Sequence, residues 1–424
     1  MDNQTFIREM FSEFYNKNID RVEIPKSIES REFGFTLFKE STMIRHKGFM
    51  RAEDLKEFIK KIVPSNVYYS SAYYSMPEAK MDEKGWLGSD LFFDIDADHI
   101  PTECNKQHDM WICRVCGLKG RGVPPTICPR CGNLGFDEKG NIIGYRQETW
   151  PCEICLETTR METIKLIDIL TSDLGFSISE IRCAFSGHRG YHVQIEIDEV
   201  LKLDSMARKE IIDYVTGTGI DARFHGLEEI SHSGARILVG PGLHDFGWRG
   251  RIARGTYEFL LKATAKDLRG LGLRKEVVEN LLANRDMILE SWKASGPWNM
   301  IKGLGLRGWE KIVQRGIQFQ SAKVDTVVTV DIHRLIRLPG TLHGKTGLLK
   351  ISFPASEIET FDPLKEAVAF KGGEARVYVE ESPEFRIGEE VFGPFKEQTV
   401  NLPISAAVFL ACKDAGKVIS YNVR

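Results

Sequence analysis

Asp94 and Asp96, separated by a single isoleucine, close an apolar run that begins Leu91-Phe92-Phe93. Along an extended strand, residues i and i+2 point to the same face. The two carboxylates therefore project together, while Phe93 and Ile95 turn toward a core. Adjacent carboxylates repel unless something cationic lies between them. Hard divalent ions meet that need, since Mg2+ is commonly held by a few carboxylates together with substrate phosphate. Two such ions, about 3.5–4 Å apart, suit an in-line phosphoryl or nucleotidyl displacement. An isolated D-x-D is more often a solvated acidic strand end, and Asp90 and Asp98 continue the alternation. Spacing alone does not select the ligands.

Two further segments carry groups that suit a polyphosphate. Ser186 to His192, SGHRGYH, links two strand-like runs, and its glycines permit close backbone approach. After the turn, Tyr191, Val193, Ile195 and Ile197 share one face and His192, Gln194 and Glu196 the other. Hydroxyl, guanidinium and imidazole groups near backbone N–H groups suit a triphosphate, although an ordinary polar hairpin has the same pattern. The third segment, Val324 to Gly347, opens with Asp325 ahead of a strand-like TVVTV. Asp331 is placed to cap a short helix over DIHRLIR, with Arg334 and Arg337 on one face and Pro339 ending it. His343 and Lys345 follow in LHGKTG. A P-loop is excluded, because only three residues separate Gly340 from Gly344 and Pro339 occupies the position required for glycine.

Of nine cysteines, seven fall between Cys104 and Cys155, and six of these form C-x2-C pairs. In a chain whose start lacks an apolar signal core, that clustering argues for metal rather than disulfides. Cys113, Cys116, Cys128 and Cys131 read as a zinc ribbon. Cys104, His108, Cys152 and Cys155 bracket it, and folding the ribbon out would unite them as a second, Cys3His site. One zinc with mixed ligands is the competing arrangement. Four protein ligands in each set leave no open position, so a structural role is expected. Cys183 and Cys412 lie in apolar, strand-like settings and read as core.

The elements that must position these groups follow from length and pattern. The chain has 424 residues, 42% hydrophobic and 28% charged, the balance of a soluble globular protein. No apolar run is long enough for a transmembrane helix, and a cytoplasmic location is the default expectation. A net charge of −3 excludes a whole-molecule positive field, so nucleic-acid contact must come from local clusters, metal ions or a partner chain. Helices are expected over residues 5–18, 52–62, 158–175 and 205–217, and through a mildly basic block at 256–316. Strands before and after that block suggest an α/β core, formed by residues 1–100, 158–255 and 317–424. A zinc-binding insertion at 101–157 and a helical insertion at 256–316 interrupt it.

Together FDIDAD, SGHRGYH and VDTVVTVDIHRLIRLPGTLHGKTG resemble, in order and approximate spacing, the small catalytic subunit of archaeal and eukaryotic DNA primase. REFGFTLF with the downstream Arg45 is similar to that family's N-terminal segment, and the resemblance spans about residues 30–350. It implies a fold of α/β (α+β) class, with two α/β modules flanking a cleft rather than a Rossmann sheet. It implies that Asp94, Asp96 and Asp325 ligate two Mg2+ or Mn2+ ions. Ser186, Arg189, His192, Arg337 and His343 would hold the incoming triphosphate, with Arg45 and Glu32 near the nucleotide. Zinc would sit on Cys104, His108, Cys152 and Cys155, the Cys113–Cys131 ribbon being additional, and His188 stands where some relatives have arginine. The implied activity is synthesis of short primers on single-stranded DNA from NTPs or dNTPs, releasing pyrophosphate. A large-subunit partner and the replication machinery are also implied. A repair polymerase or primase-polymerase of the same superfamily, and a non-catalytic zinc-ribbon DNA-binding protein, are the alternatives.

Overall fold

The computed structural model describes residues 2–38, 42–100, 102, 104–137, 142–232, 235–294 and 296–422. It divides into two compact units, one of residues 1–164, 178–208 and 324–424, the other of residues 165–177 and 209–323.

The first unit is built on two four-stranded antiparallel sheets, the mixed α/β architecture expected from the sequence. In one, the strands run in the order Leu335–Arg337, Asn66–Ser70, Phe33–Thr36, Met43–Lys47. Phe33, Phe35, Val67 and Tyr69 are buried there. The Asn3–Asn18 helix buries Phe6, Phe11 and Phe14, and Ala52–Ile62 buries Leu55 and Ile59. In the second sheet the order is Ile351–Pro354, Ile181–Phe185, Gly190–Ile195, Leu91–Asp96. Phe93 and Ile95 are wholly buried, as the period-two reading of FFDID requires. A three-stranded sheet near the C-terminus places Glu374–Ser382 between Phe395–Pro403 and Gly416–Asn422.

Among its described residues the second unit is helical apart from one strand pair, Glu228–His232 with Ala235–Val239. Gly247–Lys262 packs along Leu306–Gln320. Trp298 and Trp309 meet edge to face, their centroids 4.9 Å apart, and Trp309 Nε1 donates to Trp298 O at 2.9 Å. The unit takes in residues 209–255, which the sequence pattern assigned to the core, because the helix that begins at Gly247 runs unbroken into the predicted helical block.

Several expectations are corrected. TVVTV, read as a strand, is the helix Thr326–Val330, and the DIHRLIR segment, read as a helix, ends in the strand Leu335–Arg337. Asp325, not Asp331, is the N-cap, its Oδ1 accepting from Val327 N at 3.0 Å. The cap and the packing of this helix against Leu91–Asp96 override the strand preference of its β-branched residues. Arg334 and Arg337 therefore do not share a helix face. Residues around Cys412 form the helix Ile404–Cys412, nearly all buried. A helix apolar all round has no 3.6-residue signal by which to recognise it.

Candidate active site

Asp94 and Asp96 lie on the outer strand of the second sheet. Its partner strand places His192 opposite Asp94 and Gly190 opposite Asp96. His192 Nε2 comes within 3.5 Å of Asp94 Oδ1. The helix behind Asp325 adds the third carboxylate, Asp325 N donating to Asp94 O at 2.8 Å. Asp94 Oδ1 is buried and accepts no hydrogen bond. Burial, followed by the charges of Asp96 and Asp325, raises the Asp94 pKa to about 7. A buried carboxylate oxygen without a donor, beside two more carboxylates, fits a divalent cation.

Asp90, which continues the sequence alternation, has a different environment. It pairs with Arg31 at 2.8 Å, both side chains wholly buried, and accepts from Tyr73 Oη and Gln194 Nε2. The structure thus separates the wholly buried, ion-paired Asp90 from the partly exposed Asp94 and Asp96 of the same run.

The turn that follows Phe185 folds over the acidic strand. Ser186 Oγ accepts from His188 N at 3.3 Å and Gly190 N at 3.2 Å. Gly190 has to be glycine: a Cβ there would lie 2.5 Å from Ile95 O. Gly187, with φ +85°, lets the turn meet the LHGKTG loop, where a Cβ would lie 2.8 Å from that of His343. Thr346 Oγ1 donates to Gly187 O at 2.6 Å, and His188 stacks on His343 with centroids 5.3 Å apart. Arg337 joins the sheets by donating to Ser186 O at 3.1 Å and to Tyr68 Oη at 3.3 Å, and its buried Nε has no partner. Burial and neighbouring cations depress His192 and His343 well below the usual imidazole range, so both stand neutral.

Ser186, His192, Arg337 and His343 thus converge on one region beside the acidic strand. Arg45 lies in the Met43–Lys47 strand, where its Nε donates to Glu32 at 3.0 Å. Arg189 is 2% exposed, donates to Asp98 and Asp109, and retains an Nε without a hydrogen-bond partner. Three residues at the site escaped the sequence reading. Lys350, 1% exposed, donates to Arg337 O at 2.6 Å. Lys413 reaches from the C-terminal helix to within 2.8 Å of His188 Nε2. Asp109 accepts from Arg189, and its position directly after His108, a candidate metal ligand, was the available signal.

The two cysteine sets are held as the sequence partition expects. The ligand atoms of Cys104, His108, Cys152 and Cys155 lie within 4.8 Å of one another, as do those of Cys113, Cys116, Cys128 and Cys131. Separations of 3.4 Å (Cys104 to Cys155), 3.6 Å (Cys113 to Cys131) and 3.7 Å (Cys116 to Cys128) approach the S···S distance of about 3.8 Å in a tetrahedral zinc thiolate. No cysteine is in a disulfide.

An acidic strand end, a polar Ser-His-Arg turn across from it and a Cys3His set able to hold a metal alongside belong to a unit of mixed α/β class. The chain matches the profile of the DNA primase small subunit over residues 136–354. It is 33% identical to the DNA primase small subunit PriS of Methanothrix thermoacetophila, across 98% of both chains. It is 32% identical to that of Methanococcoides burtonii across 97% of both, and 28% identical to that of Nitrosopumilus maritimus across 96% of both. The chain belongs to the DNA primase small subunit family.

Proposed function

We propose that this chain synthesises short primers on a single-stranded DNA template by metal-dependent nucleotidyl transfer, and so initiates DNA replication. Its nucleotides would be NTPs or dNTPs. The observation that carries the reading is Asp94 Oδ1, a buried oxygen without a donor at the meeting point of three carboxylates. Asp94, Asp96 and Asp325 would hold two Mg2+ or Mn2+ ions. When bound, such ions activate a 3′-hydroxyl and offset charge on the departing pyrophosphate.

The protein groups have separate tasks. Ser186, His192, Arg337 and His343 orient the triphosphate with hydroxyl, imidazole and guanidinium donors. Arg189 Nε and Arg337 Nε, both buried and without a hydrogen bond, are placed to donate to phosphate oxygens. Arg45, paired with Glu32, would contact the nucleotide farther from the reacting phosphate. No side chain is required as a general base. Structural zinc on the two cysteine sets braces the insertion that begins just after the acidic strand. A large-subunit partner would share the template grip, which suits a chain of net charge −3. No helix among the described residues is long and apolar enough to cross a membrane.

The test is Asp96→Ala. The variant should lose primer synthesis on single-stranded DNA while its circular dichroism and melting temperature stay close to wild type. Retained synthesis would sink the assignment.

A further inference from the structure

Asp109 has no part in the chemistry proposed above, yet it stands where the zinc cluster and the acidic strand meet. His108 Nε2 faces Cys155 Sγ at 3.5 Å, the side from which it would ligate zinc. That leaves Nδ1 to carry the ring proton, 2.7 Å from Asp109 Oδ1. The same carboxylate accepts from Trp150 N at 3.1 Å and takes both of its oxygens to Arg189 Nη1, at 3.0 and 2.8 Å. Arg189 Nη2 donates to Asp98, and Arg189 Nε stops 4.0 Å from Asp96 Oδ1. Asp109 is 5% exposed and Arg189 2%, so solvent does not dilute these contacts.

A guanidinium offers five donors, and a carboxylate is its best acceptor. Released from Asp109, Arg189 would close on Asp96 and compete there with a divalent ion. We propose that Asp109 is a positioning residue: moored to the zinc-site histidine, it fixes how closely Arg189 approaches Asp96 and so preserves cation binding at the acidic strand. The inference rests on the reading of Asp94, Asp96 and Asp325 as a cation site.

The experiment is a Mn2+ titration of the full-length, zinc-loaded protein, with free Mn2+ read by electron paramagnetic resonance and zinc measured in parallel. Asp109→Asn should keep its zinc and bind Mn2+ about 10-fold or more weakly. Adding Arg189→Gln in the same chain removes the competing cation and should restore most of the affinity, a rescue that a purely structural role would not produce. Wild-type Mn2+ affinity in Asp109→Asn overturns the inference, as does loss of zinc in that variant or a double variant as weak as the single one. If Asp109→Asn does not fold, the double variant, which removes both buried charges together, carries the test alone. Near wild-type affinity then supports the inference and a tenfold loss overturns it. Absence of Mn2+ binding by the wild-type protein would instead refute the cation site itself.

Discussion

Gly190→Ala is the smallest change that reaches the site through the backbone. A methyl group at residue 190 would meet Ile95 O at 2.5 Å and Asp96 Cα at 3.1 Å, both main-chain atoms of the strand that carries the carboxylates. Neither can rotate away, so the two strands must part by roughly 0.9 Å to regain ordinary van der Waals contact. Overpacking of this kind costs about 1–3 kcal/mol. That is a fraction of the total stability of a folded domain, about 5–15 kcal/mol, so the protein should still fold. The displacement falls on Asp96, however, and a shift of about 1 Å in a reacting constellation costs on the order of 100-fold in rate. The expected phenotype is a melting temperature lowered by a few degrees together with a roughly 100-fold loss of nucleotide incorporation at saturating Mn2+. Gly270→Ala is the control, because a Cβ at that position meets nothing within 4 Å. Wild-type incorporation by Gly190→Ala would refute the argument that this close approach positions Asp96.

Three further outcomes follow from the same contacts. Metal analysis of the purified chain should find two zinc ions per molecule, and a value of one would break the partition of the eight ligands into two sites. Asp90→Ala leaves Arg31 buried without its 2.8 Å partner and should destabilise the first unit by about 3–5 kcal/mol in denaturant melts; a loss under 1 kcal/mol would show that Glu196, 3.8 Å from Arg31, suffices. Trp309→Ala empties the centre of the helical unit and should cost about 3–5 kcal/mol there, read as early loss of helical circular dichroism on heating.

Much of the site was legible because strand geometry is local. FFDID predicts its own alternation, and SGHRGYH predicts a turn between strands; the structure has both. The cysteine pairs were readable for the same reason, since C-x2-C spacing constrains its ligands without reference to distant chain. What failed depended on tertiary contacts. TVVTV has the composition of a strand, and only the packing of that segment against Leu91–Asp96, with Asp325 capping it, makes it helical. Asp90 and Asp94 are equivalent in pattern. Arg31 distinguishes them, from a loop whose relation to Asp90 no spacing rule gives. Lys413 was invisible because it follows an all-apolar helix that showed no period.

The resting electrostatics yield a further test. On the acidic side, burial and then the charges of Asp96 and Asp325 raise Asp94 to about 7. On the other side, burial and neighbouring cations lower Lys350 and Lys413 to about 7 and keep His188, His192 and His343 neutral. Each cluster is poorly compensated within the chain, and a divalent ion bound to a triphosphate supplies the missing charge to both at once. A near-neutral protein can then take up a polyanion without a broad basic surface. The two ligands must be thermodynamically linked, by a coupling of about 1–3 kcal/mol, or roughly 5- to 150-fold in affinity. Mn2+ titrations with and without a non-hydrolysable nucleoside triphosphate, and nucleotide titrations with and without Mn2+, should return the same factor after correction for Mn2+ bound by free nucleotide. In Arg337→Ala that factor should shrink, because the cationic side loses the side chain that joins the turn to Tyr68. Independent binding of ion and nucleotide in the wild-type protein would refute the charge-complementation argument, even if Asp96→Ala proved inactive.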